Sequence, residues 1–221
     1  MGECFNLLNA QPKLYDGPPR PMDATFGFDY FDGTRDTGYG GYRYDGRWKP
    51  ICEAIVKRYD LRSGNRVLDL GCAKGFFLAD LLEVCPGVEV MGTDVSAYAI
   101  SNAVEKTKPF LSIRSADDFK HVSDHHFDFI SAMNTLHFLT PERAEVALRE
   151  MIRIGKDKFF VQVDAFTNVV ERERLLAWAP IIKTVYSVEQ WLELFQRVGY
   201  RGDYWWTFVR PTGSYVAGVK P

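Results

Sequence analysis

From residue 48 onward the apolar positions change period repeatedly. Ile51, Ala54, Ile55 and Tyr59 recur at helical spacing, with Pro50 in the first turn, where its missing N–H costs nothing. After the turn Ser63-Gly64-Asn65, the run RVLDLG is short, branched and bounded by glycine, and FFLADLLEVC behind it returns to helical spacing. The pattern predicts strand, glycine loop, helix. It then repeats: VEVMGTD as a strand, Ser96 capping a helix to Val104, FLSIR and FDFISAM as strands, a helix over 141–154, and KFFVQVDAF as a strand. Alternating strands and helices of this length predict a parallel sheet covered on both faces.

Both ends depart from that rhythm. Ser187 with Gln190 forms a capping box for a helix containing Trp191, Leu192, Leu194, Phe195 and Val198, ended by Gly199. YWWTFVR and SYVAGVK then read as strands joined by Pro211-Thr212-Gly213, an antiparallel hairpin. Residues 1–46 have no sustained period and carry Pro12, Pro18, Pro19 and Pro21 among many glycines, so they read as a lid segment in front of a domain over 47–221.

Composition narrows the function classes. Of 221 residues, 46% are hydrophobic and 25% charged, which suits one soluble core and excludes a disordered or collagen-like chain. Lys plus Arg is 27 against 29 Asp plus Glu, a formal charge of −2 without a dense basic block, so neither nucleic acid nor a membrane surface is expected as a partner. No apolar run approaches membrane-span length and the N-terminus lacks a basic start, which makes the cytoplasm the expected location. Cys4, Cys52, Cys72 and Cys85 show no metal-ligand spacing and read as reduced thiols; no metal is expected. Aromatics reach 14% and are concentrated: Phe26, Phe28, Tyr30, Phe31, Tyr39, Tyr42, Tyr44 and Trp48 interleave with glycines ahead of the first helix.

The candidate chemistry lies at the end of the first strand. Asp69-Leu70-Gly71-Cys72-Ala73-Lys74-Gly75 puts an acid at the strand's carboxyl edge and small residues where the backbone must turn into a helix. Asp94 ends the next strand 25 residues later, where such folds place a carboxylate facing ribose hydroxyls. Tight-turn geometry for the glycines and a capping role for Asp94 are the plainer alternatives. The order GxxxG, with Lys74 inside it, differs from the GxGxxG that admits a dinucleotide pyrophosphate.

VLDLGCAKG, GTDVS, FDFISAMNTLHFL and the late hairpin together resemble the class I S-adenosylmethionine-dependent methyltransferases, from Trp48 to the C-terminus. YGGYRYDGRW resembles the N-terminal segment of a subset of them. The resemblance implies an α/β fold: a Rossmann-like, doubly wound, seven-stranded, mostly parallel sheet with a C-terminal antiparallel hairpin. It implies S-adenosyl-L-methionine as cofactor, with Gly71, Ala73 and Gly75 admitting it closely, although Ala73 stands where the family usually has glycine. Asp69 would lie beneath the loop, Asp94 on the ribose, and Val95, Ala116 and Asp117 around the adenine. Arg47 would take the carboxylate, and Tyr39 belongs to an aromatic cover over the sulfonium.

Methyl transfer is an in-line displacement in which alignment dominates. Asn134 and His137, after the fourth strand, are the catalytic candidates, His137 as a base near neutral pH and Asn134 also as a cofactor contact. NTLH there is unlike the proline-rich motif of base and amide methylating enzymes. A small polar acceptor is therefore expected: a sugar, an amino acid or a natural-product intermediate. Two alternatives stand beside it: a cyclase that closes the cofactor's own amino acid and releases methylthioadenosine, and a non-catalytic cofactor-binding module. The oligomeric state is open, with a homodimer among the options.

Overall fold

The computed structural model describes residues 2–8 and 11–212. In chain order the elements are β1 (Lys13–Leu14), α1 (Phe28–Phe31), α2 (Lys49–Tyr59), β2 (Arg66–Leu70), α3 (Phe76–Val84), β3 (Glu89–Asp94), α4 (Ala97–Ser101), β4 (Leu111–Ile113), β5 (Phe127–Met133), α5 (Pro141–Ile154), β6 (Gly155–Asp164), α6 (Val169–Trp178), α7 (Val188–Val198), β7 (Asp203–Thr207) and β8 (Val209–Arg210). A 3₁₀ turn, Leu136–Phe138, follows β5.

The main sheet has the order β4-β3-β2-β5-β6-β7, with every pairing parallel. Its central strands β2, β5 and β6 are buried on both faces, and consecutive residues serve opposite layers. Val67, Phe129 and Phe160 pack with Cys52, Ile55, Phe77 and Leu81 of α2 and α3. Leu68, Ile130 and Val161 pack with Leu148 and Met151 of α5 and with Trp191, Leu194 and Phe195 of α7. Burying each of these large apolar side chains contributes roughly 1.5–3 kcal/mol. The predicted helix ends are present: Ser187 and Gln190 form the capping box, Gly199 closes α7 in the left-handed conformation, and Ser96 accepts from the Ala99 amide. The helix expected to reach Val104 stops at Ser101.

The expected seven strands and final hairpin fall only partly within the described residues. Among the described residues the main sheet has six strands, and SYVAGVK, residues 214–220, lies outside them. β7 pairs with β6 directly and in parallel. Its outer edge is taken by the start of the chain: the Tyr204 amide donates to the Glu3 carbonyl at 3.0 Å and the Phe5 amide to the Tyr204 carbonyl at 2.8 Å. β8 pairs in parallel with β1. The first residues of the chain thus satisfy backbone groups of a sheet edge that would otherwise stay open.

Strand order reverses between β2 and β5, whose carboxyl ends diverge to leave a crevice. Residues 22–44 lie across it. Their rings form a continuous layer, with Tyr30–Tyr39 centroids 5.6 Å apart, Tyr39–Tyr42 4.6 Å and Tyr42 stacked on Phe76 of α3 at 4.4 Å.

Candidate active site

The loop from β2 into α3 needs glycine twice. Gly71 and Gly75 have φ of +77° and +73°, and a Cβ on Gly71 would run into Thr135, whose hydroxyl donates to the Leu70 carbonyl. Ala73 between them also takes positive φ, +48°, a conformation an L side chain adopts at a cost on the order of 1 kcal/mol. Its amide is paid back with a partner: it donates to Asp94 at 2.8 Å, and the Ser96 amide donates to the other Asp94 oxygen at 2.8 Å. Asp94 therefore braces the glycine loop and the Ser96 turn that opens α4 while lining the crevice. Burial raises its pKa above the ordinary carboxylate value.

Three cavities meet here, and Tyr39 and Asn134 border all of them. The first, about 840 Å³ counting its open mouth, is lined by Gly71, Ala73, Asp94, Val95, Ser115 and Ala116 and covered by Phe26, Tyr30 and Phe31. The second, about 1140 Å³, holds Asp69, Gly71, Ala73, Arg43 and Arg47. The third, about 1150 Å³, lies beyond Asn134, between Lys13, Arg20, Arg35, His137, Asp164 and Trp178.

Asn134 has φ of +56°, a strained position that its partners over-determine. Its amide donates to the Gln162 carbonyl at 2.8 Å, and its side-chain oxygen lies 3.4 Å from both Gln162 Nε2 and Thr207 Oγ1, which leaves the NH₂ for the cavities. Gln162 Oε1 is buried without a partner among the described residues. Tyr39 keeps 41% of its surface accessible, consistent with its place on three cavity walls, yet its hydroxyl is desolvated enough to be pushed up to about 12.

Asp69 is buried under the loop and accepts from Ser131 of the neighbouring strand at 2.7 Å. Burial, opposed by that hydroxyl and assisted by the charge of Asp94, raises it to about 7. His137 is likewise enclosed, at 1% exposure. Its Nδ1 accepts from the Asp164 backbone amide at 3.1 Å, and Nε2 stands 3.9 Å from an Asp164 carboxylate oxygen. That pattern assigns a neutral ring with its hydrogen on Nε2. The lone pair that the expected general base would use is engaged by backbone. Asp164 is desolvated, but Lys13 at 2.8 Å, His137 and the Thr207 hydroxyl outweigh burial and hold it below its ordinary value.

Two expected contacts are occupied otherwise. Arg47 borders the second cavity, but its guanidinium closes on Asp45 at the surface. Asp117 is absent from the wall of the first cavity: it pairs with Arg143 at 2.6 Å and accepts from Ser115. Conversely, three groups went unread in the sequence. Lys74, 6% exposed, clasps Asp32 of the covering segment. Asp80, a charge inside the apolar run FFLADLLEV, accepts from Tyr44 Oη and the Trp48 amide. Arg20 is buried against Trp178. Only Asp80 carried a signal, its break in an apolar face.

The family model described as a methyltransferase domain matches residues 67–158, which run from the loop strand through the cavity-forming turns to β6. Over those residues the chain is similar to methyltransferase domains. It is 26% identical over 144 residues to an uncharacterized methyltransferase of Schizosaccharomyces pombe, covering 62% of this chain and 51% of that protein. It is 32% identical over 94 residues to a carboxy-S-adenosyl-L-methionine synthase of Helicobacter pylori, covering 42% and 39%. The matches thus span about half or less of these curated relatives. A crystal structure of an S-adenosylmethionine-dependent methyltransferase from Archaeoglobus fulgidus superposes with a TM-score of 0.52 at 24% identity over 69% of each chain, a likeness of fold.

The residues of this methyltransferase domain fit S-adenosylmethionine, the family's cofactor. Gly71 and Gly75 have no room for side chains, Asp94 offers carboxylate lone pairs at a cavity edge, and Asp69 would set a buried acid toward a cationic amine. Val95, 53% exposed, and Ala116 provide apolar walls for a base.

Proposed function

We propose that the protein transfers a methyl group from S-adenosylmethionine to a small polar acceptor held in the third cavity. The junction at Asn134 and Tyr39 carries this reading: it joins an acid-edged nucleoside cavity, an acid-floored amino-acid cavity and a separate polar cavity at one point.

The cofactor supplies an electrophilic methyl on a sulfonium. Asp94 would accept from the ribose hydroxyls, Val95 and Ala116 would flank the adenine, and Asp69 would meet the amino group. Tyr39, Tyr30 and Phe31 exclude water and offer ring faces to positive charge. Asn134 orients the acceptor across the junction through its free NH₂. An acceptor lone pair would be held in line with that methyl, and an acceptor proton would leave to water. Alignment supplies most of the acceleration, because His137 and Asp164 are both committed to partners.

Calorimetry with S-adenosylmethionine and with S-adenosylhomocysteine tests the reading. Binding of both, lost by at least about tenfold in Asp94→Ala, is expected. Failure of the unsubstituted protein to bind either would overturn it. Incubation with cofactor alone should release no methylthioadenosine; release would instead establish the cyclase reaction.

A further inference from the structure

The third cavity carries an imbalance of charge. Its one acid, Asp164, is taken by Lys13 at 2.8 Å. Arg20 and Arg35 remain, and neither has a carboxylate partner among the described residues. Arg20 is 7% exposed. Its guanidinium stacks 4.3 Å above the Trp178 ring and donates to three carbonyls, those of Trp178, Arg35 and Gly38. Of its five N–H donors, two are left without a protein acceptor among the described residues. Asp36 acts on it only from beyond ion-pair distance. A desolvated cation without a paired counter-charge is costly, and an arginine fixed by carbonyls at a cavity wall is pre-organised for a carboxylate or phosphate. Arg35 also borders the cofactor side, so Arg20, which borders the third cavity, is the informative residue.

We propose that the acceptor is an anion, a small carboxylate or phosphate ester whose charged group is held by Arg20 with Arg35 beside it. This rests on reading the third cavity as the acceptor site. Such an acceptor suits a site whose histidine and aspartate are both engaged, since the anion provides its own handle for alignment.

The test uses the full chain saturated with S-adenosylhomocysteine, so that cofactor binding is established first. Benzoate and indole-3-acetate form the carboxylate arm, phenyl phosphate and phosphoethanolamine the phosphate arm, and benzamide and phenol the neutral controls. At least one anion should bind about tenfold tighter than its neutral control, weaken with added salt, and lose about tenfold in Arg20→Gln while S-adenosylhomocysteine affinity holds. The arm that binds identifies the group. Should Arg20→Gln fail to fold, the exposed Arg35→Gln should weaken the anion several-fold. Equal binding of neutral controls, unchanged anion affinity in the folded variant, or no anion binding up to about 10 mM overturns the proposal. If S-adenosylhomocysteine itself does not bind, the methyltransferase reading fails first, and the two failures stay distinct.

Discussion

The Lys74 ammonium in the glycine loop lies 2.7 Å from a carboxylate oxygen of Asp32, in the segment that covers the crevice. Tyr98 of α4 donates to the same carboxylate at 2.6 Å, and Lys74 also reaches the Tyr42 carbonyl at 3.2 Å. The glycine loop and its cover are thereby joined by a clasp in which Lys74 is buried and Asp32 half-buried.

Breaking the clasp should loosen the cover more than the domain. A charge-assisted, part-buried hydrogen bond is worth roughly 1.5–3 kcal/mol. Asp32→Asn is expected to raise the cofactor off-rate by about tenfold and to speed tryptic cleavage at Arg35 and Arg43, with the melting temperature little changed. Unaltered cofactor kinetics with a large loss of melting temperature would contradict it.

Gly71→Ala should abolish cofactor binding and destabilise the protein by roughly 2–4 kcal/mol. The added methyl meets Thr135 at a backbone φ that disfavours any side chain. Ala73→Gly at the next turn should be neutral or stabilising by up to about 1 kcal/mol, because it removes positive-φ strain. Urea unfolding of the two variants should move in these different directions.

Cofactor binding should depend on pH through Asp69. The folded apoprotein keeps this proton up to about pH 7, whereas the unfolded chain releases it near the ordinary carboxylate value of 3.8. Its contribution to stability is thus full below about pH 4 and is lost as pH rises through 7. A cation placed beside it reverses the preference, so binding between pH 6 and 7 should release a proton and tighten toward pH 8. Calorimetry in buffers of different ionisation heat measures the release, and Asp69→Asn should remove it. An identical proton count in the variant would refute the assignment.

His137 behaves in the opposite sense. Burial, opposed by the charge of Asp164 and aided by Lys13, lowers it to about 4. It contributes stability above its ordinary value of 6.5, and that contribution is lost as pH falls through 4. The Cε1–H resonance of His137 should therefore hold still from pH 8 to about 5.5, and a titration midpoint near 6.5 would disprove the enclosed, backbone-bonded ring.

What the sequence revealed was periodic or local. Alternating apolar periods predict the parallel sheet and its helices, and the spacing of Asp69, Gly71 and Asp94 points to the crevice because these three lie at the carboxyl ends of two adjacent strands, whereas Gly75 opens α3 away from the cavity walls. His137 was placed in the right turn, but its hydrogen-bond partner comes from the backbone of β6, which no spacing encodes. Asp117 and Arg47 sit near the crevice, yet nearby ions of opposite charge, Arg143 and Asp45, hold them. Arg20, Lys13 and Asp32 were silent because the segment bearing them has no period, and only its docking on the domain gives each residue a neighbour.

That docking occurs at both ends. Glu3 and Phe5 are paired with β7, and Arg58 reaches both Glu3 and Asp203, while Tyr44 and Trp48 are moored to Asp80. Residues 11–44 therefore form a strap tied down along its length, at β1 by β8, at Lys13 by Asp164, at Asp32 by Lys74 and at Tyr44 by Asp80, rather than a flap swinging on one hinge. A tag or deletion at the first few residues would act on the third cavity, which Lys13 borders, by slackening one end of that strap.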